Sequence, residues 1–233
     1  MKQSRRMFIK NLALAGGCAW VSISPSKLFG EEGVESSDTS LIYHKTIEII
    51  KKAYVRETQA HMAYTKFSRK ALKKDYPNIA YLFESFAIAE SIHARNFKNV
   101  LTSLGEYPGR PAEKFPVLST RENLDQAIQL ELREINIYYP AHLKRIKQEE
   151  HWNSIAAIFH ALASEKQHES LLQKMKKGTG IFWNMLKKRI EGEDVTFCIC
   201  QACGSTLTEI PDICPICGKP NSFYEKVERH KSL

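Results

Sequence analysis

The first 30 residues contain no acidic side chain, although they carry five of the 34 lysines and arginines of this 233-residue chain. The remaining residues hold 29 basic and 26 acidic side chains, so their surplus is +3 against +8 for the whole chain. A surplus this small gives little electrostatic attraction to a polyanion. The sequence therefore argues against a nucleic-acid-binding protein, because its basic character belongs mostly to the N-terminal segment.

That segment also lacks an apolar run long enough to span a bilayer, since Leu12–Ile23 covers only 12 residues. A short apolar run after a basic stretch is typical of an export signal. The adjacent Arg5 and Arg6 resemble a twin-arginine signal, which exports proteins in folded form to the periplasm; an ordinary secretory signal is the alternative. We assign residues 1–30 to this leader. No clean cleavage site follows it, and the protein would be held at a membrane only if the leader is retained.

Four long segments repeat apolar side chains at the 3.6-residue period of an amphipathic helix. Their approximate limits are Leu41–Leu72, Asn78–Leu104, Ser119–Tyr139 and Trp152–Met175. Pro140 is expected to bend the third helix without necessarily ending it. The stretch between the second and third segments is rich in proline and long enough to cross the length of a bundle. We predict an all-α main domain at residues 39–178, a ferritin-like four-helix bundle with one long crossover.

Acidic side chains on the apolar faces of these helices are the unusual feature. An isolated buried carboxylate is costly, so it binds a proton or finds a cation. Each helix carries one such glutamate, and residues at i and i+3 share a helix face, which adds two histidines and a fifth glutamate. The set is Glu57, Glu90, His93, Glu131, Glu134, Glu165 and His168. Five carboxylates and two imidazoles can bind two bridged metal ions; solvated acidic faces are the alternative.

Cysteine is concentrated near the C-terminus, where the last 36 residues hold five of the six. Two Cys-x-x-Cys-Gly turns, ten residues apart, are formed by Cys200, Cys203, Cys214 and Cys217. Four thiolates in such turns bind iron or zinc, and the spacing does not choose between them. Two disulfides are the other possibility, and Cys198 is interpreted as a spare thiol. We predict a small metal-bound β module at residues 196–230, joined to the bundle by a connector at residues 179–195.

The motifs of the four helices resemble those of rubrerythrin, and the similarity covers about residues 39–175. They read Glu57-Thr-Gln-Ala, Glu90-Ser-Ile-His93-Ala, Glu131-Leu-Arg-Glu134 and Glu165-Lys-Gln-His168-Glu. The Glu-x-x-Glu pair of the third helix is the discriminating motif. The C-terminal module resembles the rubredoxin-like domain of that family. Its spacer is slightly short, however, and Ser205 stands where an aromatic is usual, so a zinc ribbon stays an alternative.

The resemblance implies a distribution of the ligands over two irons. Glu90 and Glu165 would bridge them, and Glu131 with His168 would bind one of them.

The other iron would be bound by Glu57 and would exchange His93 for Glu134 as the site is oxidised. Tyr64 and Tyr139 match tyrosines of the family that are placed to hydrogen-bond ligand carboxylates.

The function that the resemblance implies is that of a non-haem di-iron peroxidase reducing hydrogen peroxide to water. One iron in the four-cysteine site would relay electrons from a redox protein or reductase to the bundle of a neighbouring subunit, so a homodimer is expected. The other hypothesis is a ferritin-like ferroxidase or iron-storage protein whose cysteines form a structural zinc ribbon.

Overall fold

The structure is a computed structural model and describes residues 42–109, 111, 115–176 and 195–229. The predicted leader lies outside the described residues, as does the predicted connector except for its last residue. All of the described residues belong to one compact unit that begins at Asp38. Within them, no helix combines the length and the apolar character that crossing a membrane requires.

The first two helices are α1 (His44–Leu72) and α2 (Pro77–Ser103), joined by a four-residue turn. Pro77 occupies the first turn of α2, where its missing N–H costs nothing because that group has no partner inside a helix. Gly105 follows the end of α2 with a φ of +74°. This left-handed conformation suits glycine, and it ends α2 close to the predicted limit at Leu104.

The third helical segment begins after Ser119, whose hydroxyl accepts a hydrogen bond from the Glu122 N–H while the Glu122 carboxylate accepts one from the Ser119 N–H. Helix α3 (Thr120–Arg133) continues into a π-helical segment (Glu134–Tyr138) and then into α4 (Tyr139–Ile146). Pro140 has no N–H for an α-helical bond and its ring crowds the preceding turn, which the wider π segment accommodates. The helix is therefore distorted, and not ended, at the proline.

Helix α5 (Trp152–Lys176) completes the bundle. Two apolar clusters fill its interior, one around Tyr64, Phe67 and Phe83 and the other around Ile50 and Phe97. Each buried phenylalanine contributes roughly 1.5–3 kcal/mol. Along each helix, the predicted ligand positions fall near the boundary between the residues of one cluster and those of the other. The polar site is thus enclosed by apolar layers.

The C-terminal module is a three-stranded antiparallel sheet in the order β2-β1-β3, with β1 at Cys198–Cys200, β2 at Thr206–Leu207 and β3 at Tyr224–Lys226. Strands of two or three residues cannot hold a sheet together without additional cross-links. The module also binds the bundle through Tyr81 of α2. Its hydroxyl donates to the Val227 carbonyl (2.8 Å) and accepts from the Phe197 N–H (3.1 Å).

Candidate metal centres

The bundle brings one buried carboxylate from each of its four long segments to a common point. Each of these four glutamates is only 1–2% exposed. Two groups of possible ligands form there, and within each group the ligand atoms lie within 4.8 Å of one another. The groups are Glu57, Glu90, His93 and Glu165, and Glu90, Glu131, Glu165 and His168. Because Glu90 and Glu165 belong to both, the geometry is that of two adjacent metal positions sharing two carboxylates.

Both histidines direct Nδ1 towards the shared carboxylates. His93 Nδ1 lies 2.9 Å from Glu90 Oε2 and 3.1 Å from Glu165 Oε1. His168 Nδ1 lies 3.0 Å from Glu165 Oε2 and 3.2 Å from Glu90 Oε1. The i, i+3 spacing of each Glu-x-x-His pair produces this arrangement, because the two side chains lie on one face of the helix.

The buried oxygen atoms of this site fit cations. Glu57 Oε1, Glu90 Oε1 and Glu165 Oε1 are buried and accept no hydrogen bond from the described residues. A buried polar atom without a partner costs about 1–3 kcal/mol. Four carboxylates also carry the charge that two divalent ions would balance. The donor set of oxygens and imidazole nitrogens therefore fits a pair of divalent transition-metal ions.

Without metal, the charges of this cluster cannot all be maintained. Burial raises the pKa of Glu57 and the pKa of Glu131 well above the usual value, and repulsion from neighbouring carboxylates adds to the effect. Burial lowers the pKa of His168, but Glu90 and Glu165 outweigh it and raise this pKa to about 9. The metal-free site consequently retains protons at neutral pH, and metal ions would replace them.

Glu134 differs from the other six predicted ligands, because it belongs to neither group. Its Oε1 accepts hydrogen bonds from Arg56 Nε (2.8 Å) and Arg56 Nη2 (2.5 Å). Burial raises the pKa of Glu134 to about 7, although Arg56 opposes this. Sequence reasoning missed Arg56; its only signal is a cation next to Glu57 on a helix that faces the site.

The two predicted tyrosines are placed differently. The Tyr64 hydroxyl donates a hydrogen bond to Glu131 Oε1, as the family resemblance implies. The Tyr139 hydroxyl is buried but makes no hydrogen bond with the described residues. Tyr139 packs in the apolar cluster around Phe97 instead. The structure thus brings Tyr64, but not Tyr139, onto a carboxylate of the site.

The four predicted cysteines form the second centre. Their Sγ atoms lie within 4.8 Å of one another, with Cys200 and Cys217 3.7 Å apart and Cys203 and Cys214 3.6 Å apart. These distances exceed a disulfide bond of about 2.05 Å. They match the roughly 3.8 Å between ligands of a tetrahedral ion with bonds of about 2.3 Å. All five cysteines of the described residues are free thiols, so the disulfide alternative is not what the structure shows.

Ser205 stands where the family pattern usually has an aromatic residue. The structure shows which aromatic side chain lies beside the cysteines instead. Ser205 is fully buried. The hydroxyl of Tyr224, on β3, lies 3.0 Å from Ser205 Oγ and 3.3 Å from Cys214 Sγ. The aromatic ring beside the thiolates therefore comes from a different strand, which sequence spacing did not reveal.

The first cysteine turn lies directly on the two histidines of the bundle. Gly204 has a φ of +81°, and a Cβ at this position would overlap His93 Nε2. Thr206 Oγ1 lies 3.1 Å from His168 Nε2 and 3.0 Å from the Gly204 carbonyl oxygen. If the threonine hydroxyl donates to that carbonyl, its oxygen accepts from His168 Nε2–H. This tautomer leaves Nδ1 available as a metal ligand.

Helix α5 supplies further contacts to the same turn. Ser164 Oγ donates to the Gly204 carbonyl oxygen (2.9 Å), and Gln167 Oε1 accepts from Ser205 Oγ (3.1 Å) and from the Thr206 N–H (3.0 Å). Sequence reasoning missed these residues. Their only signal was polar side chains close to the ligands of α5.

A cavity of about 130 Å³ reaches the carboxylates of the bundle. Its lining includes the four buried glutamates and Tyr64, with Arg56, Glu134 and Tyr138 also present, but neither histidine. The space is sufficient for a few water-sized molecules. Small molecules can therefore approach the carboxylates, whereas the cysteine module covers the histidines.

The bundle, its two carboxylate-sharing metal positions and the appended four-cysteine module define a ferritin-like di-metal protein with a rubredoxin-like domain. Comparison with known proteins agrees. The sequence profile of the family described as Rubrerythrin matches residues 48–176. The chain is also 33% identical over 185 residues to Rubrerythrin-2 of Clostridium acetobutylicum, which covers 77% of this chain and 95% of that protein. The chain belongs to the rubrerythrin family of di-iron proteins, and is an oxidoreductase of that type.

Solved structures support the same assignment. The structure of nigerythrin in its fully reduced, all-ferrous state superimposes with a TM-score of 0.66 at 26% identity, covering 78% of this chain and 86% of that chain. Bacterioferritin of Mycobacterium tuberculosis gives a TM-score of 0.58 at 14% identity, covering 62% of this chain and 92% of its own. The second likeness concerns the fold alone. The predicted ferritin-like fold class is confirmed.

Proposed function

We propose that this protein is a non-haem di-iron peroxidase that reduces hydrogen peroxide to water. The observation that carries the proposal is the pair of ligand groups sharing Glu90 and Glu165, at the end of a cavity of about 130 Å³. Two ferrous ions bound there would supply the two electrons that reduce the O–O bond. The cavity fits hydrogen peroxide, and its size argues against bulky organic peroxides.

The residues of the chain have separate tasks in this proposal. Glu57 and His93 hold one metal position, and Glu131 and His168 hold the other, with two shared carboxylates between them. Tyr64 fixes the orientation of the Glu131 carboxylate through its hydrogen bond. The apolar clusters around the site exclude bulk water, so that the polar cavity is the route by which small molecules arrive.

We further propose that the four-cysteine site holds one iron and returns single electrons to the bundle. The support is its position, because Gly204 and Thr206 of the first cysteine turn contact the two histidines. A structural ribbon would not require this contact. Iron-replete expression should yield a coloured cysteine site; a colourless, zinc-filled site would contradict the relay.

The peroxidase proposal is tested with anaerobic, fully reduced protein. Stoichiometric hydrogen peroxide should reoxidise the ferrous pair rapidly, as followed by absorption in a stopped-flow instrument. Protein that stays ferrous on this timescale would defeat the proposal. Cys200→Ser should retain this single oxidation but lose repeated turnover with an electron donor. Cys198→Ala is the matched control, because Cys198 lies on the same strand outside the four-thiol cluster.

A second candidate function is iron oxidation and storage, because two metal positions inside a ferritin-like bundle also suit the oxidation of iron. It predicts a large assembly with many irons per chain. Size-exclusion chromatography with iron counting separates it from the homodimer that we propose, which would carry three irons per chain. The peroxidase proposal explains the contact between the two sites, whereas storage leaves that contact without a role.

The cellular location is also a proposal. We infer export in folded form to the periplasm from Arg5 and Arg6 in the leader, which lies outside the described residues. Replacing both arginines by lysine should keep the protein in the cytoplasmic fraction, as measured by immunoblotting of cell fractions. Unchanged export would favour an ordinary secretory signal.

A further inference from the structure

Glu134, which belongs to neither ligand group, pairs with an arginine that sequence reasoning did not single out. Two nitrogens of Arg56 donate to the same carboxylate oxygen, Glu134 Oε1, at 2.8 and 2.5 Å. Both side chains are largely shielded from water, at 28% and 15% exposure. A guanidinium and a carboxylate paired with little solvent around them form a stronger contact than an exposed ion pair.

The Arg56 side chain also packs against an aromatic ring. Its guanidinium carbon lies 3.2 Å from the centre of the Tyr138 ring, a stacked cation–π arrangement. Tyr138 ends the π-helical segment that Glu134 begins, so one segment carries both the carboxylate and the ring on which its partner rests. Arg56, in turn, directly precedes the predicted ligand Glu57 on α1. The pair therefore links the π segment to a ligand-bearing helix.

The second carboxylate oxygen of Glu134, Oε2, is independent evidence that this side chain could bind a metal ion. Glu134 Oε2 is buried and accepts no hydrogen bond from the described residues. Arg56 and Glu134 also line the cavity that reaches the four buried glutamates of the site. A buried oxygen without a hydrogen-bond donor, on a side chain that lines a cavity beside the candidate metal positions, could bind a metal ion once Arg56 releases the carboxylate.

We propose that Arg56 is a positioning residue that keeps Glu134 off the metal pair and thereby reserves that coordination position for His93. The inference rests on the metal pair of the proposed function, but not on peroxide chemistry. Removing the guanidinium would remove the hydrogen bonds to Glu134. It would also remove a positive charge that repels the metal ions. Glu134 would then be drawn to the metal, where its charge is balanced.

The test uses zinc, which binds such sites without redox chemistry. Crystal structures of the full chain loaded with zinc would be compared for the unaltered protein, Arg56→Gln and Arg56→Lys. In the unaltered protein, Glu134 should contact Arg56 while His93 binds zinc. In Arg56→Gln, a Glu134 oxygen should lie about 2.0–2.2 Å from zinc. In Arg56→Lys, the Glu134 carboxylate should stay off the zinc at least in part, because lysine retains the positive charge.

Release of zinc to a chelator is a second measurement, and it needs no crystals. The bundle site of Arg56→Gln should lose zinc roughly tenfold more slowly, since a charged carboxylate takes the place of a neutral imidazole and a nearby cation is removed. Lys52→Ala is the matched control, because Lys52 lies one turn away on α1 but pairs with Glu48. It should release zinc at the unaltered rate.

Two results would overturn the inference. One is a zinc-loaded structure of the unaltered protein with Glu134 on the metal and Arg56 turned away. The other is Arg56→Gln with Glu134 still off the metal and zinc release unchanged. Failure of the peroxidase proposal would be seen separately, as ferrous protein that resists peroxide while Glu134 still moves on replacement of Arg56.

Discussion

Tyr64 and Tyr139 each bury a hydroxyl group, and the two differ in what that hydroxyl contacts. Tyr64 donates to Glu131, whereas the Tyr139 hydroxyl has no hydrogen bond to the described residues. The sequence could place both on the inner faces of helices. It could not distinguish them, because the π segment before Tyr139 changes the direction in which the following side chains point.

This difference predicts unequal effects of removing the two hydroxyls. Tyr64→Phe leaves a buried carboxylate oxygen without its donor and should lower the free energy of unfolding by about 1–3 kcal/mol. Tyr139→Phe loses no such bond, so its change should stay below roughly 0.5 kcal/mol. Urea denaturation of the two metal-free variants measures both values. Equal losses would show that the Tyr139 hydroxyl has a partner in solution.

Protons should leave the bundle when metal enters. His168, with a pKa of about 9, is protonated in metal-free protein near neutral pH, and the raised pKa values of Glu57 and Glu131 favour their protonated forms. Metal binding must displace these protons, so it weakens as pH falls and strengthens as pH rises from 7 towards 9. Zinc titration by calorimetry in two buffers of different ionisation enthalpy measures the number released, with the cysteine site filled beforehand. A heat independent of the buffer would contradict the expectation.

At the scale of elements, the helices were predictable because their ends carry local signals. Pro77, Gly105 and the Ser119–Glu122 pair each mark a boundary through backbone chemistry that acts within a few residues. The predicted start at Leu41 differs from the observed His44, where no side-chain cap marks the end. The π segment was not predictable, because the eight residues of α4 that follow it are too few to reveal a change of phase in the apolar pattern.

The two cysteine turns allow a matched test of the contact with the bundle. Gly204 and Gly218 both have positive φ, at +81° and +70°, so alanine should strain the backbone by about 1–2 kcal/mol at either position. Only the Gly204 Cβ would meet His93, whereas the Gly218 Cβ meets nothing within 4 Å. Gly204→Ala should therefore also slow reduction of the bundle metals by the cysteine site. Gly218→Ala should leave that rate unchanged.

Transient reduction of oxidised protein, with absorption followed for both centres, provides the measurement. The metal content of each variant must be the same for the comparison to hold. Equal rates in Gly204→Ala and Gly218→Ala would mean that electrons do not pass through the contact at His93.

At the scale of the whole molecule, motif spacing predicted which residues of the two candidate metal centres come together, apart from Glu134, but it did not predict the direct contact between the centres. The ligands repeat at distances that helix and turn geometry dictate. The contact depends instead on Ser164, Gln167 and Thr206, which in sequence resemble ordinary surface residues. The structure seats the module on the bundle of its own chain, whereas the family resemblance implied transfer to a neighbouring subunit.

This arrangement predicts that electron relay occurs within one chain. Co-refolded dimers of a Cys200→Ser chain and a Glu90→Gln chain should remain inactive in peroxide turnover, because neither chain has both sites intact. Dimers of two unaltered chains treated in the same way are the control for recovery. Turnover that returns in the mixed dimer would instead show that the module of one chain serves the bundle of the other.

The two cysteine turns also differ in their surroundings. The first, with Cys200 and Cys203 fully buried, lies on the bundle, whereas Cys217 of the second is partly exposed and Gly218 has open space around it. The module thus has a fixed inner end and an open outer end. In the proposed relay, an electron donor that docks at the outer end would not contact the bundle. Different donors could therefore replace one another over evolution, or by design, with the chemistry of the bundle left intact.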